Sequence, residues 1–143
     1  MDTTELETFH ITGVSCDTDS DRQAEDIPAL WGRAAALGLV RSDRDTWAVY
    51  HRYAVEGAKF RVTVTVGRPE VEGPPPDAEV VTVPAQRYVR FATDGSIPAV
   101  QEAWTDVWRR TLDRGFVADL ERWRFAADGR PVAAEVLVGI GGE

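Results

Sequence analysis

Two short stretches of this chain bring together side chains that could do chemistry. One is Leu120-Glu121-Arg122-Trp123, with Phe125 just beyond it. The other is Tyr50-His51-Arg52-Tyr53, with Trp47 just before it. If the first is a strand, alternate residues share a face, so Glu121 lies with Trp123 and Phe125. A carboxylate among aromatic rings is either a structural charge paired with an arginine or a binding group for something cationic. Arg52, Arg122 and Arg124 are at hand for the first role. For the second, each well-placed aromatic face would contribute about 0.5–2 kcal/mol to holding a cation. Burying the carboxylate without a partner costs several kcal/mol, so an empty site would raise the acid's pKa or retain water. Both readings stand at this point.

Other catalytic signatures are missing. Two histidines, His10 and His51, and the single Cys16 make no zinc-ligand spacing. There is no G-x-S-x-G, no phosphate-binding loop and no dinucleotide fingerprint, so no cofactor is implied. Net charge is −8, which argues against a nucleic-acid footprint, since that needs lysine and arginine concentrated on one face. One cysteine allows no internal disulfide, which suits a reducing, cytoplasmic setting. The N-terminal residues lack a basic and apolar leader, and no apolar run approaches membrane-spanning length.

The elements that must position the two stretches follow from periodicity. Ile97, Val100, Trp104, Val107, Trp108 and Leu112 recur at helical spacing, predicting a helix with one buried face. Ser96 can cap it, Pro98 fits its first turn, and Gly115 supplies a left-handed stop. A strand follows over 117–125. A second helix is expected over 26–37, capped by Asp26 and stopped by Gly38. Strands are expected over 6–16, 60–66, 79–84, 86–93 and 133–140, with a turn at Asp128-Gly129. The acidic segment 17–26 reads as a solvated loop; it lacks the ligand spacing of a calcium loop. The proline-rich run 69–78 reads as an extended, exposed connection.

Ile27-Pro28-Ala29 reappears 70 residues later as Ile97-Pro98-Ala99. The same step sets Tyr50-His51-Arg52-Tyr53 against Leu120-Glu121-Arg122-Trp123. The chain therefore reads as one α+β domain over 1–143, made of a duplicated βαββ unit with halves near 5–68 and 79–140. A pseudo-twofold axis would place His51 and Glu121 across a shared groove in an antiparallel sheet. That pairing depends on register, because a one-residue slip sends the two to opposite faces. Trp31, Trp104 and Trp108, from the helices, could wall the same groove.

The chain resembles the GyrI-like small-molecule-binding domain, which also forms the effector-binding domain of AraC-type and MerR-type multidrug regulators. The resemblance rests on Phe9-His10-Ile11-Thr12-Gly13, Ile27-Pro28-Ala29-Leu30-Trp31 and Ala48-Val49-Tyr50-His51-Arg52-Tyr53. It continues through Val83-Pro84-Ala85 with Tyr88, Ala103-Trp104 with Val107-Trp108, and Asp119-Leu120-Glu121-Arg122-Trp123. It implies a central groove for lipophilic, often cationic, aromatic compounds. Glu121 matches the family's buried acid; Trp123 and His51 stand where tyrosine is more usual. The expected ligand-binding set is Glu121, Tyr50, His51, Tyr53, Trp31, Trp104, Trp108 and Trp123, in a stand-alone binding domain.

Two alternatives accompany that reading. Some members of the family resemble hydrolases that open strained cyclopropane rings of DNA-alkylating compounds; Glu121 with Tyr50 or Tyr53 would then activate water. The third is an inhibitor that sequesters a macromolecular partner. A second copy of the chain and a separate regulator are the protein partners left open.

Overall fold

The structure, a computed structural model, describes residues 2–110 and 112–141. Ten elements follow one another: β1 (Thr3–Leu6), β2 (Phe9–Asp19), α1 (Gln23–Ala36), β3 (Thr46–Glu56), β4 (Lys59–Arg68), β5 (Glu79–Val83), β6 (Gln86–Thr93), α2 (Ile97–Arg109), β7 (Arg114–Phe125) and β8 (Pro131–Ile140). All eight strands form one antiparallel sheet in the order β1-β6-β8-β7-β3-β4-β2-β5. The order is symmetric about the β7–β3 pair, with β6-β8-β7 on one side and β3-β4-β2 on the other. Each βαββ half thus supplies one inner strand, and β1 and β5 each pair with the opposite half's leading strand. This is the α+β architecture with a duplicated unit that the sequence implies.

Alternation along the strands separates two faces. Even residues of β3 and β4, such as Ala48, Tyr50, Val64 and Val66, meet Leu30 and Ala34 of α1. Val136 and Val138 of β8 meet Val100 and Val107 of α2 in the same way. The opposite face gathers Ile11, Val49, Val83, Tyr88, Leu120 and Leu137 from both halves into one cluster, so the sheet curls around them. Both faces are therefore filled by apolar side chains, and the helices cover one of them, α1 over β2 and β4 and α2 over β8 and β6.

Several local expectations are revised. The acidic segment 17–26 is not a loop: β2 runs on to Asp19, and α1 begins at Gln23. Thr18 explains part of this, since it is buried on the helix face and donates to Asp26 at 2.9 Å. Asp26 is consequently in the first turn of α1 rather than its cap, and Pro28 lies inside the helix. Asp19 accepts from the backbone N–H groups of Asp21 and Arg22 and so organises the chain before the helix. Ser96 caps α2 as expected, accepting from Ala99 N at 3.3 Å. However, α2 ends at Arg109, short of Leu112, and Thr111 lies outside the described residues. Gly115 is part of β7 rather than a helix stop; the left-handed backbone there falls on Phe116, at φ 52°. Gly38 does adopt that conformation after α1, at φ 78°.

Candidate functional site

Between α1, α2 and the middle of the sheet lies a cavity of about 670 Å³. That volume lies in the range of drug-sized ligand sites. Its walls are Ile27, Pro28 and Trp31 from α1, Ile97, Val100, Trp104 and Trp108 from α2, and Tyr50, Tyr53, Phe60, Glu121 and Trp123 from the strands. The aromatic rings brace one another: Trp31 meets Trp123 edge-on at 5.5 Å, and Phe60 stacks on Trp108 at 5.5 Å.

Glu121 is on the cavity floor and only 4% exposed. Three neutral groups donate to it. Tyr50 OH reaches Oε2 at 3.0 Å, Trp104 Nε1 reaches Oε2 at 2.6 Å, and Trp123 Nε1 reaches Oε1 at 2.9 Å. No lysine, arginine or histidine forms an ion pair with it among the described residues. Burial pushes its pKa up, and the three hydrogen bonds only partly counter that. Burial, then the adjacent carboxylate, also lifts the Tyr50 hydroxyl well above its ordinary range.

The other buried acid of the same strand is treated differently. Asp119, fully buried, pairs with Arg114 Nη2 at 2.7 Å and accepts from Tyr53 OH at 2.6 Å and Gly139 N at 2.9 Å. The Arg114 guanidinium in turn lies over Trp108 at 4.5 Å and Phe116 at 4.2 Å. Sequence reasoning missed this pair. Its signal was faint: an arginine five residues before an aspartate at the entry to a strand.

Seven of the eight residues expected to bind ligand surround the cavity: Glu121, Tyr50, Tyr53, Trp31, Trp104, Trp108 and Trp123. His51 does not. It sits on the opposite face of the sheet, its Nε2 2.9 Å from Thr65 Oγ1, and burial lowers its pKa. The reason is register. Ala48 pairs with Glu121 and Tyr50 with Asp119 across the central strands, so even residues of β3 share a face with odd residues of β7. Glu121 therefore shares its face with Tyr50, 71 residues earlier, and not with His51 at the 70-residue step of the Ile-Pro-Ala repeat. Tyr53 would face the His51 side as well but for a bulge between His51 and Ala54, where Arg52 takes φ 55°. The extra residue turns Tyr53 onto the cavity face. Sequence reasoning also omitted Phe60, Ile27, Ile97 and Val100 from the cavity walls.

A search of curated protein sequences finds no match. Among solved structures, the integron cassette protein VCH_CASS2 from the mobile metagenome of Vibrio cholerae superposes with TM-score 0.80 at 18% identity, covering 98% of this chain and 95% of its own. The structure of SAV2435 bound to tetraphenylphosphonium superposes with TM-score 0.70 at 16% identity, over 98% and 93% of the two chains. The EcmrR C-terminal domain superposes with TM-score 0.58 at 12% identity, over 99% and 96%. At these identities the likeness is one of fold. The sequence family described as Cass2, integron-associated effector binding protein, matches residues 3–126, most of the chain. This chain is a member of the Cass2 family of integron-associated effector binding proteins.

Proposed function

We propose that the cavity binds lipophilic aromatic cations, with Glu121 as the counter-charge and Trp31, Trp104, Trp108 and Trp123 as stacking surface. One observation carries this reading: Glu121 is buried in a cavity of ligand size and is met only by neutral donors. A structural carboxylate buried to this degree is normally neutralised, as Asp119 is by Arg114 two positions away on the same face. An incoming cation supplies the missing charge and gains from the indole faces. The structural relative bound to tetraphenylphosphonium supports the same ligand class. The test is titration with tetraphenylphosphonium followed by tryptophan fluorescence. Wild type is expected to bind it, and Glu121→Gln to bind roughly 10-fold to 100-fold more weakly, the worth of an interaction with a charged group. Equal affinity in the two proteins sinks the proposal.

A hydrolytic reading has one observation in its favour, the contact of Tyr50 OH with Glu121 at 3.0 Å inside the cavity. A carboxylate whose pKa is raised is a better general base. Tyr53 is engaged with Asp119, which leaves Tyr50 as the polarising partner. Turnover of a strained cyclopropane, lost in Glu121→Gln while the substrate still binds, would establish it; binding without turnover would dismiss it.

A further inference from the structure

The lone pairs of Glu121 define the valence of the guest. A carboxylate offers about four acceptor positions, two on each oxygen. Oε2 uses both of its positions, on Tyr50 OH at 3.0 Å and Trp104 Nε1 at 2.6 Å. Oε1 uses one, on Trp123 Nε1 at 2.9 Å. No other donor reaches either oxygen among the described residues, so one acceptor position stays open. The cavity beside Glu121 is walled mainly by indole, phenol and aliphatic side chains. The other polar side chains of the lining, Gln23, Gln101 and Thr105, belong to the helices, and Gln101 and Thr105 are exposed to solvent.

We infer that the cavity selects lipophilic tertiary amines in their protonated form, the cations that carry a single N–H. This rests on the reading of the cavity as a cation site and adds to it the number of donors the cation must bring. A protonated tertiary amine directs its one N–H to the open position on Oε1 and presents three carbon substituents to the aromatic walls. A primary ammonium brings three donors; one is met, and two lie against indole carbon, stripped of water. A quaternary cation brings none. Its alkyl groups hold the charge away from Oε1, and the fourth acceptor position stays unfilled on a carboxylate that is only 4% exposed. Apolar burial alone would rank the same three cations differently, with affinity rising at each added methyl group. A maximum at the middle member is therefore the signature of the open lone pair.

The experiment is isothermal titration at pH 7 of three probes, (naphthalen-2-yl)methylammonium and its N,N-dimethyl and N,N,N-trimethyl forms, all singly charged there. Wild type is expected to bind the dimethyl probe about fivefold to tenfold tighter than either neighbour, as a charge-assisted hydrogen bond gained or lost would give. In Glu121→Gln the dimethyl advantage is expected to vanish. Trp123→Phe removes the one donor on Oε1 and opens a second acceptor position; the primary probe should then gain on the dimethyl probe by about threefold. The inference is overturned if the trimethyl probe binds as tightly as the dimethyl probe in wild type, if the dimethyl advantage survives in Glu121→Gln, or if none of the three binds. Equal binding of all three, weakened together by Glu121→Gln, removes the selectivity and leaves the cation site standing. Indifference of all three to Glu121→Gln removes both.

Discussion

Glu121 should make the protein less stable as pH rises, the reverse of what a carboxylate in an ordinary ion pair does. Its pKa in the folded state lies above that of an unfolded-chain glutamate, because burial disfavours the charged form more than Trp123, Trp104 and Tyr50 can offset by donating to it. Between the unfolded and folded values the native state therefore holds more protons than the unfolded chain. The derivative of unfolding free energy with pH carries the sign of unfolded minus native protons, so it is negative in that window. One proton sets its limiting slope at about 1.4 kcal/mol per pH unit. Below the unfolded pKa the penalty is absent; above the folded pKa it is complete and constant.

The comparison to make is wild type against Glu121→Gln by urea denaturation from pH 4 to pH 8. The other carboxylates titrate alike in both proteins and cancel in the difference. Glutamine is no neutral bystander, since its amide N–H₂ must face one of the three donors, an unsatisfied contact that costs about 1–3 kcal/mol. That cost does not depend on pH, whereas the carboxylate's penalty does. Wild type minus variant is thus expected to fall as pH climbs through the window and then level off. Each kcal/mol corresponds to roughly 2–4 °C in Tm for a chain near this size, so calorimetry can follow it too. Saturating tetraphenylphosphonium should flatten the fall, because the cation stabilises the ionised form. Parallel curves would show that Glu121 is not a desolvated carboxylate. A difference that grows with pH would show a depressed pKa and hence a charge partner, and the reasoning from the cavity would fail.

Arg114→Met strands the fully buried carboxylate of Asp119 and should cost about 3–5 kcal/mol in urea denaturation, with Arg114→Lys retaining part of it. Gly139→Ala should cost about 1–3 kcal/mol in the same assay, since the added methyl would meet Gln86 Nε2 at 2.5 Å and the immovable Ala118 carbonyl oxygen at 2.6 Å. His51→Ala should leave tetraphenylphosphonium affinity within about twofold of wild type, because the imidazole has the whole sheet between it and the cavity. A larger loss in titration would contradict the face assignment.

Much of this was written in local patterns. The helical spacing of Val100, Trp104 and Val107 marks the buried stripe of α2, and Ser96 marks its start. Duplication was visible in the Ile-Pro-Ala repeat, and the aromatic crowding around Glu121 was visible in composition. What escaped was set by long-range pairing. The Ile-Pro-Ala step of 70 residues is even, while the strand step of 71 between Tyr50 and Glu121 is odd. Parity decides the face, so one residue moved His51 out of the site. The identical tripeptides are themselves not equivalent, for Pro98 opens α2 whereas Pro28 lies inside α1. The left-handed residues Arg52 and Phe116 are neither glycine nor asparagine, the residues that usually announce such backbone, and Gly115 points to the second of them one residue early. The bulge at Arg52 belongs to strand pairing, and no window of sequence around it reveals it.

The same geometry explains why two acids on one face of β7 have opposite fates. Between Arg114 and Asp119 the β7–β8 ladder loses its register. That irregular segment folds Arg114 back so that its guanidinium reaches an acid five residues ahead. Trp108 and Phe116 then seal the pair from water. Glu121 lies in the regular part of the ladder, opposite Ala48 and Val136, where neighbours on the same face are fixed by alternation and bring no cation. Arg122 and Arg124, its sequence neighbours, point to the other face and pair with Glu135 and Asp45. Above it α2 contributes an indole rather than a basic side chain. An irregular strand thus neutralises one carboxylate, and a regular one keeps the other without a counter-ion, which is the condition a cationic guest can meet.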